Sequence, residues 1–140
     1  MTHLTIQLMG PLQVELDGEP VTGFATDKVR ALLAYLAIEN DRPHRRESLA
    51  GLLWGGHSES AARANLRRAL ADLRQVIRDH DPGPPRILAN RKTIQLNGSG
   101  DVWVDTSEFA RRIAADTADD LEYAVALYRG RFMEGFSLGD

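Results

Sequence analysis

The chain has 140 residues, no cysteine and a formal net charge of −3 at neutral pH. That length holds one domain of ordinary size, or a small domain with part of another, and is too short for a large multidomain enzyme. A hydrophobic share of 43% with 26% charged residues describes a globular chain, and the lack of cysteine excludes disulfides, thiolate metal sites and a thiol nucleophile. No apolar run is long enough for a bilayer, and Met1-Thr2-His3-Leu4 does not open a secretory signal, so a cytoplasmic protein is expected.

The net charge conceals an uneven distribution. Residues 42–92 hold eleven Lys and Arg against five Asp and Glu, a formal +6, which leaves −9 for the remainder. A localised basic segment is a candidate site for a polyanion, set against the plainer reading of a solvated charged surface.

Leu4-Thr5-Ile6-Gln7-Leu8 and Leu12-Gln13-Val14-Glu15-Leu16 alternate apolar with polar, the period of two half-buried strands. Gly10-Pro11 turns between them, and Asp17-Gly18 is a hairpin signal before a third short strand at Pro20-Val21-Thr22. The period then changes. Val29, Leu32, Leu33 and Leu36 form the stripe of an amphipathic helix with Thr26 or Asp27 as its cap. A second, short helix is expected from Arg45 to Trp54, with Leu49, Leu52 and Leu53 inward and Gly55-Gly56 closing it. A third and most basic helix runs from Ser58 to about Asp79, and the stretch 81–85, rich in proline, stops it. Arg86-Ile87-Leu88 and Thr93–Leu96 then frame a hairpin with Asn90-Arg91-Lys92 at its tip. After the turn at 97–100 come a short extended piece, Val102-Trp103-Val104, and two helices at about 106–115 and 118–129.

Helix, short helix, basic helix and hairpin is the order of a winged helix-turn-helix, in which one helix enters the major groove and the wing touches a neighbouring backbone or minor groove. The expected fold is therefore α+β: an N-terminal antiparallel sheet, a three-helix core and a C-terminal β-hairpin wing, followed by two helices. At about 100° per residue, Ala62, Leu66, Ala69, Leu70, Leu73 and Ile77 share one stripe of the third helix. Ser60, Ala61, Ala64, Arg67, Arg68, Ala71 and Gln75 lie opposite. Small alanines allow close approach to bases, and arginines can reach guanine edges or phosphates. An ordinary solvated helix would mix Glu with Lys. Ser60, Ala61, Ala64, Arg67 and Arg68 are thus the candidate base readers. Asn65, on the flank, is carried with them, as a contact to adenine or phosphate or as a tie to the preceding loop. Arg63, Arg74, Arg91 and Lys92 are the candidate backbone contacts.

Leu53-Trp54-Gly55, the run Ala61–Leu70 and Leu73-Arg74 together resemble the OmpR/PhoB-type winged helix, and within it the Streptomyces antibiotic regulatory protein (SARP) type. Trp103-Val104-Asp105, Phe109 and the run Ala126–Phe136, with its Leu-Tyr-Arg-Gly motif, resemble the first helices of the bacterial transcriptional activation domain that follows it. The resemblance implies a winged-helix domain over residues 1–100 and a truncated start of the activation domain over 101–140. It further implies a transcriptional regulator of double-stranded DNA that uses direct repeats and helps recruit RNA polymerase, with weak or DNA-induced self-association.

Competing readings are weaker. Trp54 is expected in the core, Trp103 and Phe109 as anchors of the tail helices, and Tyr128, Phe132 and Phe136 as packing residues or, where the rest of their domain is missing, as an exposed set that invites self-association. His3, His44, His57 and His80 show no metal-ligand spacing and are read as solvated loop residues. There is no phosphate-binding Gly-Lys-Ser/Thr loop and no Gly-x-Ser-x-Gly elbow, so no enzyme, catalytic residue, metal or cofactor is expected. The rival class is a winged helix that binds another protein. Such a module has no need of arginines on both the third helix and the hairpin tip.

Overall fold

The computed structural model describes residues 3–79, 83–98 and 101–138. In chain order the elements are β1 (Leu4–Gln7), β2 (Gln13–Leu16), β3 (Glu19–Pro20), α1 (Asp27–Ile38), β4 (His44–Arg45), α2 (Arg46–Leu53), α3 (Glu59–Val76), β5 (Ile87–Ala89), β6 (Thr93–Leu96), β7 (Val102–Val104), α4 (Asp105–Ala115) and α5 (Ala118–Leu127).

Alternation places Leu4, Ile6, Val14 and Leu16 on one buried face, with β1 and β2 antiparallel and Leu4 opposite Leu16. Asp17 and Gly18, both at positive φ, form the two-residue turn to β3. That tight turn fixes Glu19 opposite Leu16, so the third strand is Glu19–Pro20 and not Pro20–Thr22. The sheet is also larger than an antiparallel meander. β7 adds to β1 in parallel, Leu4 opposite Val102, giving the order β3-β2-β1-β7. Residues 101–105 thus complete the sheet begun by residues 4–20.

Three helices form the core beneath. Thr26 caps α1, its hydroxyl accepting the Val29 N–H, and Val29, Leu32, Leu33 and Leu36 are buried. In α2 the inward side is Leu49, Ala50 and Leu53, while Leu52 is 58% exposed, contrary to expectation. Its direction lies roughly 110° from the mean of those three, beyond the buried arc. Trp54 is buried, and Lys28 beside it donates to the Leu53 carbonyl. The Ser58 hydroxyl accepts the Ala61 N–H at the start of α3. Every residue of the expected α3 stripe is buried. The helix ends at Val76, before Asp79, because Arg78 turns left-handed (φ 55) and Asp79 is used to accept the Arg86 N–H. His80 and the stop signal Asp81-Pro82 lie outside the described residues, as do Ser99 and Gly100.

β5 and β6 form the expected hairpin, Ile87 opposite Leu96. Its tip is shaped by the Asn90 side-chain oxygen, which accepts the N–H groups of Lys92 and Thr93, both at 2.8 Å. The wing has a third strand, since β4 pairs with β6, His44 opposite Ile94. This pairing corrects the reading of His44 as a solvated loop residue. It is buried, bonded through Nε2 to the Glu39 carbonyl and edge-on to Tyr35.

The tail is attached by polar contacts. Asp105 is buried and its carboxylate accepts the N–H groups of Leu8 and Met9 at 2.9 Å. The expected anchors Trp103 and Phe109 are only half-buried and lie outside the apolar core, because Val104 and Asp105 are the residues turned inward. Helix α5 stops at Leu127 and the chain returns to β1: Gly10 donates to the Arg131 carbonyl and Met133 to that of Leu8. Gly10 (φ +114) is needed there, since a Cβ would lie 3.0 Å from that of Arg129. Of the expected packing aromatics, Tyr128 and Phe132 are exposed and Phe136 half-buried; Met133 is the residue that packs on the core.

Candidate nucleic-acid interface

The buried stripe of α3 fixes what its other side presents. With Ala62, Leu66, Ala69 and Leu73 inward, Ser60, Arg67 and Arg68 project into solvent, and Ala61 and Ala64 are half-buried between them. Asn65 is also half-buried, and its side-chain oxygen is 3.5 Å from an Arg68 nitrogen, a weak contact at best. These residues form the outermost face of the helix.

Arg63 and Arg67 lean to one flank of that face. There they meet the wing across a cleft of about 630 Å³, lined by Arg45, Arg46, Glu47, Arg63, Leu66, Arg67, Asn90, Arg91 and Lys92. Six cations and one carboxylate border this space. Arg45 is 3.8 Å from Glu47. Among the described residues, Arg63, Arg67, Arg91 and Lys92 have no ion pair and no side-chain hydrogen bond. Burial and then the charges of Arg74 and Arg67 hold the Arg46 guanidinium below the ordinary arginine value. The cleft is therefore bordered by clustered positive charge with little compensation, a setting suited to an anion.

Of the expected backbone contacts, Arg63, Arg91 and Lys92 are brought together here. Arg74 stands apart: its Nε is buried and 3.6 Å from the Asp79 carboxylate at the end of α3. Ser60, Ala61, Ala64, Asn65 and Arg68 do not line the cleft but lie around the helix from it. Sequence reasoning missed Arg45 and Arg46. The basic pair after Pro43 was visible, but its place depends on β4 joining β6, a pairing across about fifty residues that has no local signature. Among the described residues no cluster of potential metal ligands occurs, and no helix is long and apolar enough to cross a membrane.

No family model matches the chain. The transcriptional regulatory proteins EmbR of Mycobacterium bovis and of two strains of Mycobacterium tuberculosis are each 37% identical to it over 87 residues, which is 62% of this chain and 22% of the relative. The solved structure of Mycobacterium tuberculosis EmbR with a low-affinity phosphopeptide superposes with a TM-score of 0.79 at 27% identity, covering 95% of this chain and 38% of that one. The chain has an α+β winged helix-turn-helix fold and is homologous to part of EmbR. The matched segment spans about a fifth of the length of the curated relatives. Within this winged helix, α2 and α3 are the helix-turn-helix and β4, β5 and β6 are the wing.

Proposed function

We propose that this chain binds double-stranded DNA sequence-selectively, with α3 in the major groove and the wing tip on the adjoining backbone or minor groove. The observation that supports the reading best is the convergence of unpartnered cations from two elements, Arg63 and Arg67 from α3 with Arg91 and Lys92 from the wing. The alanine-lined outer face gives the helix close access to base edges, and the flanking cations meet phosphates. Ser60, Ala61, Ala64, Asn65, Arg67 and Arg68 are the base readers in this reading, and Arg63, Arg91 and Lys92 the backbone contacts. Arg74 joins the backbone contacts only by leaving Asp79.

The wider role is that of a cytoplasmic transcriptional regulator, without catalysis, acting at direct repeats and in contact with RNA polymerase. Residues 101–140 would then begin a bacterial transcriptional activation domain. Selection of binding sites from a random duplex pool tests the reading. Enrichment of a repeated motif is expected, and a pool that stays random contradicts it. Arg68→Ala should flatten preference at one position by about 1–3 kcal/mol if the arginine pairs bidentately with guanine. An unchanged preference profile removes Arg68 from the readers.

A further inference from the structure

Arg46 begins α2 and makes two bonds to the wing. Its backbone N–H donates to the Lys92 carbonyl at 2.8 Å, and its Nε–H donates to the Asn90 carbonyl at 2.8 Å. The two acceptors flank Arg91, so both sides of the wing tip are tied to α2. Helix α2 packs on α3 through Leu49 and Leu53. The wing tip is thereby fixed relative to the face of α3. Among the described residues the terminal nitrogens of Arg46 have no hydrogen-bond partner, and they border the same cleft as Arg63 and Arg67.

We infer that Arg46 is a positioning residue that latches the wing to α3 while its terminal nitrogens seat a backbone phosphate of the duplex in the cleft beside Arg63 and Arg67. This rests on the DNA reading above and adds to it a residue and a role. A guanidinium suits both tasks, because its fork can spend one N–H on a carbonyl and two on a phosphate. A lysine has the charge without the fork. A phosphate in the cleft also relieves the repulsion between Arg46 and Arg67, neither of which has a carboxylate partner. Glu47, the one carboxylate on the rim, is turned to Arg45. The seat lies between the helix face and the wing tip, where a duplex strand passes from one groove to the next.

The test is duplex affinity against salt for the full chain, Arg46→Gln, Arg46→Lys and Arg91→Ala, alone and with each Arg46 variant. Each phosphate contact contributes about −0.9 to the slope of log K against log salt. Arg46→Gln should lower the slope by about two, one for its own phosphate and the rest for wing cations no longer held in place. Arg91→Ala should cost markedly less in the Arg46→Gln protein than in the parent. Arg46→Lys should keep most of the slope and lose this coupling. It also carries the test if Arg46→Gln does not fold. Losses at Arg46 and Arg91 that multiply independently overturn the latch, and a slope unchanged by Arg46→Gln overturns the seat. Inorganic phosphate, titrated at constant ionic strength, should leave duplex binding within about twofold. If it displaces the duplex, the cleft is a small-anion site and the inference fails. A parent chain with no salt-sensitive duplex binding fails the DNA reading itself, a result distinct from those above.

Discussion

Helices α3 and α4 are both amphipathic, yet they are held in different ways. Helix α3 buries Ala62, Leu66, Ala69, Leu70 and Leu73, whereas α4 buries Asp105 and α5 buries Ala124. The winged helix draws its stability from apolar area removed from water, at about 25 cal/mol per Å². The tail relies on the Asp105 carboxylate, main-chain bonds to Leu8 and Gly10, and an ion network of Glu108, Arg112 and Asp120. Val125 at 72% and Tyr128 at 60% exposure show how little of its apolar surface is covered. The contrast separates tasks: a rigid apolar body can hold arginines at fixed spacing against their repulsion, and a tail fastened by a few polar bonds can loosen without disturbing them.

The largest effect should come from the body. Leu66→Ala removes a fully buried side chain and should cost about 2–5 kcal/mol in chemical denaturation. A cost below about 1 kcal/mol would mean the core tolerates the cavity and would blur the contrast. Asp105→Ala should come next. It strands the buried Leu8 N–H, at about 1–3 kcal/mol, and the partly buried Met9 N–H at less. Hydrogen exchange should quicken at Leu8, Met9 and across α4 and α5, with α3 amides still protected. If α3 loses protection equally, body and tail are one cooperative unit.

The smallest effect is one of pH. Hydrogen bonds from Arg111 and then Arg112 hold the Glu108 carboxyl below its ordinary value of 4.5. The Thr117 hydroxyl and then Arg112 hold Asp120 below 3.8. Folded values below unfolded ones mean the stabilisation is complete above these ordinary values and lost as pH falls through the lower folded ones. Both groups are partly covered but pair at the surface with the more exposed Arg111 and Arg112, where screening keeps the contribution small. Acidification from about pH 6 to pH 3 should therefore lower exchange protection, relative to intrinsic rates at each pH, in α4 and α5 ahead of α3. Glu108→Gln should remove part of that dependence. An equal acid response in the variant would show that these ion pairs do not secure the tail.

The same contrast governs what could be read from the sequence. Helical stripes such as Val29–Leu36 and Ala62–Ile77 report burial directly, because a packed apolar face imposes its period on the chain. Local turns were legible too: Asp17-Gly18 and the Asn90 tip use residues that only a tight turn favours. Contacts between distant segments were not. β7 beside β1, β4 beside β6 and Asp105 under Leu8 depend on pairings across about fifty to one hundred residues, and three-residue strands carry no register signal. His44 was misjudged for the same reason, its strand being paired with β6, whereas Leu52 falls outside the buried arc of its own short helix. For the candidate site, the outer face of α3 and the wing tip were legible, while Arg45 and Arg46 became visible only when β4 brought them to the cleft.

The most direct test of the central claim is the salt dependence of duplex binding by the intact chain. Arg46, Arg63, Arg67, Arg91 and Lys92 border one cleft, and each that meets a phosphate releases counterions. With Arg46, Arg63, Arg91 and Lys92 each on a phosphate, the expected plot of log K against log salt is linear with a slope of roughly −3.6. A slope near zero, or no binding at low salt, would contradict the reading of this cleft and helix face as a DNA interface.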